Sequence, residues 1–245
     1  MKKKILITGA TSGIGLATVE RMLQSANKVY AIGRDMKKIE HLIEKYGTEN
    51  LLYIPFDLTK LQELEALFIQ ITEDGVKLDS MVHCAGMEET VPLSLYTPEK
   101  VKNIFDLNVF SSIELLRVFS KKKYSNDNSS VLFFSSVMGI LGQPGKVGYC
   151  STKAAILGVV KSSALELAKR KIRVNAILPG IVNTPMTQKL FSQLNEANVN
   201  AIMNMHPLGI GEVEDVVPMV SFLLSDDSRW ITGQSIVIDG GYSIQ

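Results

Sequence analysis

The stretch Thr8-Gly9-Ala10-Thr11-Ser12-Gly13-Ile14-Gly15 constrains this chain more than any other. It joins a short apolar run, residues 4–8, to an amphipathic segment, residues 14–25. The run reads as a buried strand; Ile14, Leu16, Ala17, Val19 and Leu23 give the segment after it one broad apolar helical face. Glycines in such a turn let the backbone bend tightly and approach a ligand closely. The start of the helix offers free N–H groups and partial positive charge, which suits a pyrophosphate. A glycine turn alone is weak evidence, but its place between a strand and a helix at the start of an alternating pattern strengthens it.

That alternation continues to the end of the chain. Further strands are expected at 28–33, 50–54, 79–83, 131–134, 173–178 and 233–239. Helices are expected at 35–46, 61–71, 98–120, 149–169 and 214–224, with Pro98 at a favourable first-turn position. Strands apolar on both faces and separated by helices imply a parallel sheet covered on both sides. With right-handed crossovers this gives an α/β fold: a doubly wound, Rossmann-type sheet of about seven strands. No repeat, low-complexity tract or linker interrupts it, so residues 1–245 read as one dinucleotide-binding domain. The segment 184–208 carries Met186, Leu190, Phe191, Leu194, Met203 and Met205 without a clear strand, and reads as a helical substrate lid. Met186, Phe191 and Met203 suggest an apolar pocket beneath it.

Bulk properties exclude several classes of function. At 245 residues, 46% hydrophobic and 21% charged, the chain builds a large core without disulfide or metal staples. A net charge of +1 gives no general attraction to nucleic acid or to an anionic membrane. The lysine runs Lys2, Lys3, Lys4 and Lys121, Lys122, Lys123 read as solvated flanks. Cys84 and Cys150 form no CxxC pair and the three histidines are scattered, so no metal site is expected. Two cysteines suit a reducing compartment. The first apolar run stops at Gly9, too short for a signal-peptide core, and no stretch reaches the about 20 apolar residues of a membrane span. The expectation is a cytoplasmic protein.

Tyr149-Cys150-Ser151-Thr152-Lys153 places a phenol and an ammonium four residues apart, on one face of a helix. A free tyrosine titrates near ~10, too high for work near neutrality. A nearby ammonium favours the phenolate and brings the group closer to the range that acid/base catalysis needs. Ser136 lies thirteen residues before Tyr149, after the fifth strand, where open α/β sheets bind ligands. Ser135 is the competing hydroxyl. Asn108 is a mid-helix amide, mildly unfavourable there unless it has a task.

The TGxxxGxG turn, with YxxxK and the serine before it, resembles the short-chain dehydrogenase/reductase family, and the resemblance runs from Lys4 to Tyr242. It implies a catalytic set of Asn108, Ser136, Tyr149 and Lys153. In that set the serine holds the substrate oxygen, the tyrosine is the acid/base and the asparagine organises a water that relays protons to the lysine. It implies cofactor contacts from Gly9, Thr11, Ser12, Gly13, Ile14 and Gly15, and from Asp57 and Leu58 at the adenine. Ala85 and Gly86 are expected to approach the cofactor closely. Pro179, Gly180, Val182 and Thr184 belong to the family's PGxxxT loop, where Val182 backbone and the Thr184 hydroxyl hold the carboxamide; Tyr149 and Lys153 also touch the cofactor. His83-Cys84 stands where the family has Asn-Asn, and His83 reads as a structural substitute.

Cofactor choice rests on the end of the second strand. Asp35 could accept from a ribose hydroxyl and favour NAD; Arg34 could pair with a 2′-phosphate and favour NADP. The family's NAD-selecting acid usually stands where this chain has Gly33, so NADP is expected, with NAD possible. The implied function is hydride transfer between nicotinamide and a carbonyl/secondary alcohol pair, in a ketone reductase similar to the 3-oxoacyl carrier-protein reductases. The substrate is then a small or carrier-bound carbonyl compound. Competing readings are a sugar or polyol dehydrogenase, a nucleotide-sugar epimerase or dehydratase, and a cofactor-binding sensor without turnover. A homo-oligomer, tetramer or dimer, is expected through the helices carrying Asn108 and Tyr149.

Overall fold

The computed structural model describes residues 2–73 and 75–244. Seven strands form one sheet: β1 (Lys4–Thr8), β2 (Lys28–Gly33), β3 (Leu51–Pro55), β4 (Leu78–His83), β5 (Ser125–Phe134), β6 (Arg173–Pro179) and β7 (Ser235–Ile238). Their order is β3-β2-β1-β4-β5-β6-β7, with every neighbouring pair parallel. The order reverses between β1 and β4, so the doubly wound Rossmann-type arrangement read from the sequence is present. In such sheets the crevice at the carboxyl ends beside that reversal takes the ligand.

Alternation along each strand sends side chains to opposite faces. From β1, Leu6 joins a core under α3 (Leu64–Ile71), α5 (Ser111–Phe119) and α6 (Val147–Leu167). Ile5 and Ile7 join a second core under α1 (Gly13–Gln24), α2 (Glu40–Tyr46) and α9 (Val213–Leu224). Both faces are therefore covered, which is why the strands read as continuous apolar runs.

Two helices differ from their sequence reading. The segment expected at 35–46 is broken: Asp35 caps a short 3₁₀ turn, Met36–Lys38, before α2 begins at Glu40. The helix expected at 98–120 is α4 (Pro98–Phe105) and α5 joined by a π segment, Asp106–Phe110. A π bulge inserts one residue into a helix and recurs at functional sites. Here it carries Asn108. The lid segment contains α7 (Pro185–Phe191) and α8 (Glu196–Asn204), and no strand, as read. Among the described residues no helix is long and apolar enough to cross a membrane.

The first turn explains its own glycines. Gly9 has φ +65°, and a Cβ there would sit 2.7 Å from the Ala85 backbone nitrogen. A Cβ on Gly15 would run into the Gly9 carbonyl oxygen. Either alanine overpacks a backbone contact, and Gly9→Ala also forces a left-handed conformation. Each of Gly9→Ala and Gly15→Ala is expected to cost about 1–3 kcal/mol of folding stability in urea denaturation; no loss would show that the turn relaxes freely.

Candidate active site

The carboxyl ends of β1, β2, β4, β5 and β6 border a cleft of about 800 Å³. Every residue expected to touch the cofactor, from Gly9 in the first turn to Thr184 ahead of α7, lines it. So do Ser136, Tyr149 and Lys153. Asn108 does not; it is buried behind the wall, 3% exposed.

Ser12 starts α1 without using its hydroxyl as a cap, and the first turn of that helix carries no acid. A positive helix end with no internal counter-charge suits an anion. The donor set of this turn therefore fits a dinucleotide pyrophosphate. At the end of β2 the two competitors separate. Arg34 is exposed and lines the cleft. The Asp35 carboxylate instead accepts from the Lys37 backbone N–H at 3.2 Å. A Cβ on Gly33 would meet Thr11 Cγ2 at 2.5 Å, so an acid there would require the Thr11 side chain to shift. Asp57 accepts from the Thr59 backbone and hydroxyl at 3.0 and 2.8 Å, and these bonds hold its carboxyl below the usual range.

The two serines after β5 also separate. Ser135 Oγ donates to the Lys153 carbonyl at 2.7 Å and ties the strand end to α6. Ser136 Oγ accepts from Met138 N–H at 3.1 Å and lies beside the Tyr149 phenol, favouring its ionised form. Lys153 Nζ stands 5.6 Å from the Tyr149 ring centroid and donates to the Phe134 carbonyl at 2.9 Å. In the chain alone, burial pushes the phenol up to about 12, against the pull of Ser136. The lysine does not produce the lowering expected of it: desolvation raises the phenol and also holds Lys153 down to about 8. A neutral phenol is the form that donates a proton.

Asn108 clamps the loop after β4. Its Oδ1 accepts from Met87 N–H and its Nδ2 donates to the Met87 carbonyl, both at 2.9 Å; Nδ2 also donates to Thr152 Oγ1 at 3.1 Å. A Cβ on Gly86 would lie 3.3 Å from Asn108 Oδ1 and 3.5 Å from Lys153 Nζ, so one bare Cα separates the two groups. His83 is buried outside the cleft lining. Its Nδ1 shares a 2.7 Å hydrogen bond with Thr8 Oγ1, and burial holds it neutral, near 3. That is a link between β1 and β4, in keeping with a structural substitute.

The lid presents Met186, Leu190, Ile202 and Met205 to the cleft. Of the three side chains singled out from the sequence, Phe191 and Met203 do not line it, because the phase of α7 and α8 turns them away. Tyr242 also lines the cleft and stacks on His206, ring centroids 4.7 Å apart, while His206 Nδ1 contacts the Ile202 carbonyl at 2.9 Å. Sequence reasoning also missed Glu88 and Lys146, an ion pair on the cleft wall. Lys146 lies in the turn just before α6, so helical spacing gave no signal for it.

This sheet, with a phosphate-suited turn and a phenol–ammonium pair in one cleft, defines a dinucleotide-dependent oxidoreductase. The family model described as enoyl-(acyl carrier protein) reductase matches residues 9–243. The chain is 33% identical over 245 residues to the 3-oxoacyl-(acyl-carrier-protein) reductase FabG of Thermotoga maritima, covering 99% of this chain and 98% of that one. Among solved structures it resembles a 4-hydroxyisoleucine dehydrogenase mutant complexed with NADH and succinate, with TM-score 0.92, 29% identity and 99% of each chain covered. It also resembles ElxO with NADP bound, with TM-score 0.87, 26% identity and 100% of each chain covered. The chain belongs to the short-chain dehydrogenase/reductase family and is an NAD(P)-dependent oxidoreductase.

Buried Lys153 makes stability depend on pH. Well below pH 8 it is charged in both folded and unfolded chains, and its desolvation opposes folding in full. Between about 8 and about 10.5 the folded chain releases a proton that the unfolded chain keeps, so its contribution to stability rises with pH. The gain in melting temperature from about pH 7 to about pH 9.5 is expected to be smaller in Lys153→Met than in the parent. An equal gain would contradict the burial.

Proposed function

We propose that the chain reduces a ketone with NADPH, as a 3-oxoacyl carrier-protein reductase-like enzyme, and oxidises the secondary alcohol in reverse. One observation carries this reading: the Tyr149 phenol, the Ser136 hydroxyl beside it and the Lys153 ammonium share the cleft of the phosphate turn. A bound reduced nicotinamide supplies the hydride. Ser136 and Tyr149 hold the carbonyl oxygen between them, and the neutral phenol donates its proton to that oxygen as charge develops there. Lys153 stabilises the phenolate left behind and returns a proton to it. Asn108 is assigned to that resupply, next to Lys153 across Gly86. Gly9, Thr11, Ser12, Gly13, Ile14 and Gly15 cradle the pyrophosphate, Asp57 and Leu58 the adenine side, and Val182 and Thr184 the carboxamide.

NADPH is favoured because Arg34 faces the cleft while Asp35 is committed to its own turn. The relative solved with NADP is consistent with this choice. A cytoplasmic homo-oligomer is part of the proposal; the exposed Phe110 and Ile113 near Asn108 and Leu165 on α6 offer apolar surface for it.

A screen of ketones and secondary alcohols with NADPH and NADH tests the reading. Tyr149→Phe is expected to lower kcat at least roughly a hundredfold with NADPH binding retained, as loss of an acid/base group does. Turnover undiminished by that change sinks the mechanism; cofactor binding without turnover on any carbonyl supports the sensor alternative. Arg34→Gln is expected to raise KM for NADPH about 10- to 100-fold with little effect on NADH, the worth of a charge-assisted bond to phosphate.

A further inference from the structure

We propose that Glu88 and Lys146 form the polar arm of the substrate end of the cleft. They select a substrate carrying a neutral hydroxyl or carboxamide on the carbon next to the reacting carbonyl. The inference rests on the reductase reading above and narrows its substrate class.

Glu88 stands on the loop after β4, two residues past Gly86, and Lys146 ends the turn before α6. Both line the cleft and they pair with one another. Lys146 Nζ lies 5.9 Å from the Tyr149 ring centroid. The reacting oxygen and this ammonium are therefore within the reach of one small molecule.

Lys146 is only 5% exposed, and apart from the Glu88 carboxylate no acceptor reaches its Nζ. An ammonium has three N–H donors, so donors remain for a ligand. Glu88 accepts from the Thr90 hydroxyl at 3.2 Å and keeps further lone pairs. Burial also draws Lys146 down to about 8, in keeping with a cation short of partners. The pair is not needed to join its two loops, because Val91 N–H already donates to the Gly145 carbonyl at 2.8 Å.

Chemistry decides what such a couple accepts. It is neutral overall. A carboxylate must displace Glu88 or sit beside it as a second negative charge. An alkyl group covers both ions and satisfies neither, which is costly in a desolvated pocket. A hydroxyl or carboxamide accepts from Lys146 and donates to Glu88, leaving the ion pair intact. A pocket built to hydrogen-bond a group rejects analogues that lack it more strongly than a greasy pocket rejects a missing methylene. Met186, Leu190, Ile202 and Met205 leave the remainder of the substrate apolar.

The test is kcat/KM with NADPH for 1-hydroxyhexan-2-one, 1-methoxyhexan-2-one, hexan-2-one and 2-oxohexanoate. The methoxy ketone keeps the electron-withdrawing oxygen but cannot donate. The hydroxy ketone is expected to exceed each of the others at least about tenfold. Glu88→Gln and Lys146→Met, checked for cooperative melting, are expected to shrink the hydroxy-to-methoxy ratio by about tenfold whatever their absolute rates. A parent ratio near one, a preference for the carboxylate, or a ratio unchanged in both folded variants overturns the inference while the reductase reading stands. Should a variant fail to fold, the parent ratios decide alone. NADPH binding with no turnover of any ketone defeats the reductase reading, and this inference falls with it.

Discussion

Two backbones meet at the floor of the cleft with no side chain between them. The turn after β1 lies against the start of the loop after β4, so close that a methyl on Gly9 would meet Ala85 nitrogen. Strand register enforces the contact: Thr8 stands level with His83, and His83 level with Phe133. The Thr8–His83 bond pins the first of these steps. The glycine turn and Ser136 are consequently two strand spacings apart, roughly 10 Å, a distance set by backbone hydrogen bonding and not by any loop. Side chains at the strand ends inherit that spacing.

Onto this frame the chain buries a cation. Lys153 faces little water and donates its hydrogen bond to a strand-end carbonyl. Because the surroundings are dry, both groups are drawn towards their neutral forms. Charge entering the cleft therefore shifts the balance more than it would at a wet surface. Asn108 and the π segment serve the same end mechanically, by fixing Met87 backbone and the wall that keeps the lysine covered.

Strand positions were legible because each strand is a run of apolar residues bounded by turn residues, and both sheet faces demand the same pattern. The glycine turn was legible because only glycine tolerates the approach at Gly9 and Gly15. Tyr149 and Lys153 could be paired from helical spacing alone. Choosing Ser136 over Ser135 needed the resemblance, since the two differ only in which way one extended residue points. The π segment was hidden, because Asp106-Leu107-Asn108-Val109-Phe110 has ordinary helical residues and the bulge arises from tertiary bonds to Met87 and Thr152. Glu88 and Lys146 were hidden for a related reason: a charge pair across two loops leaves no periodic trace. Phe191 and Met203 misled because hydrophobicity does not report helix phase in short, half-exposed helices.

The stack of Tyr242 on His206 gives the carboxyl-terminal turn and the lid a shared joint. Anything appended beyond that turn, such as a purification handle, would load the joint and alter how the lid is held. Kinetic constants from such a fusion would describe cover and handle together. A handle at the other end meets the amino end of β1, at the end of the sheet away from the cleft, and leaves that joint untouched.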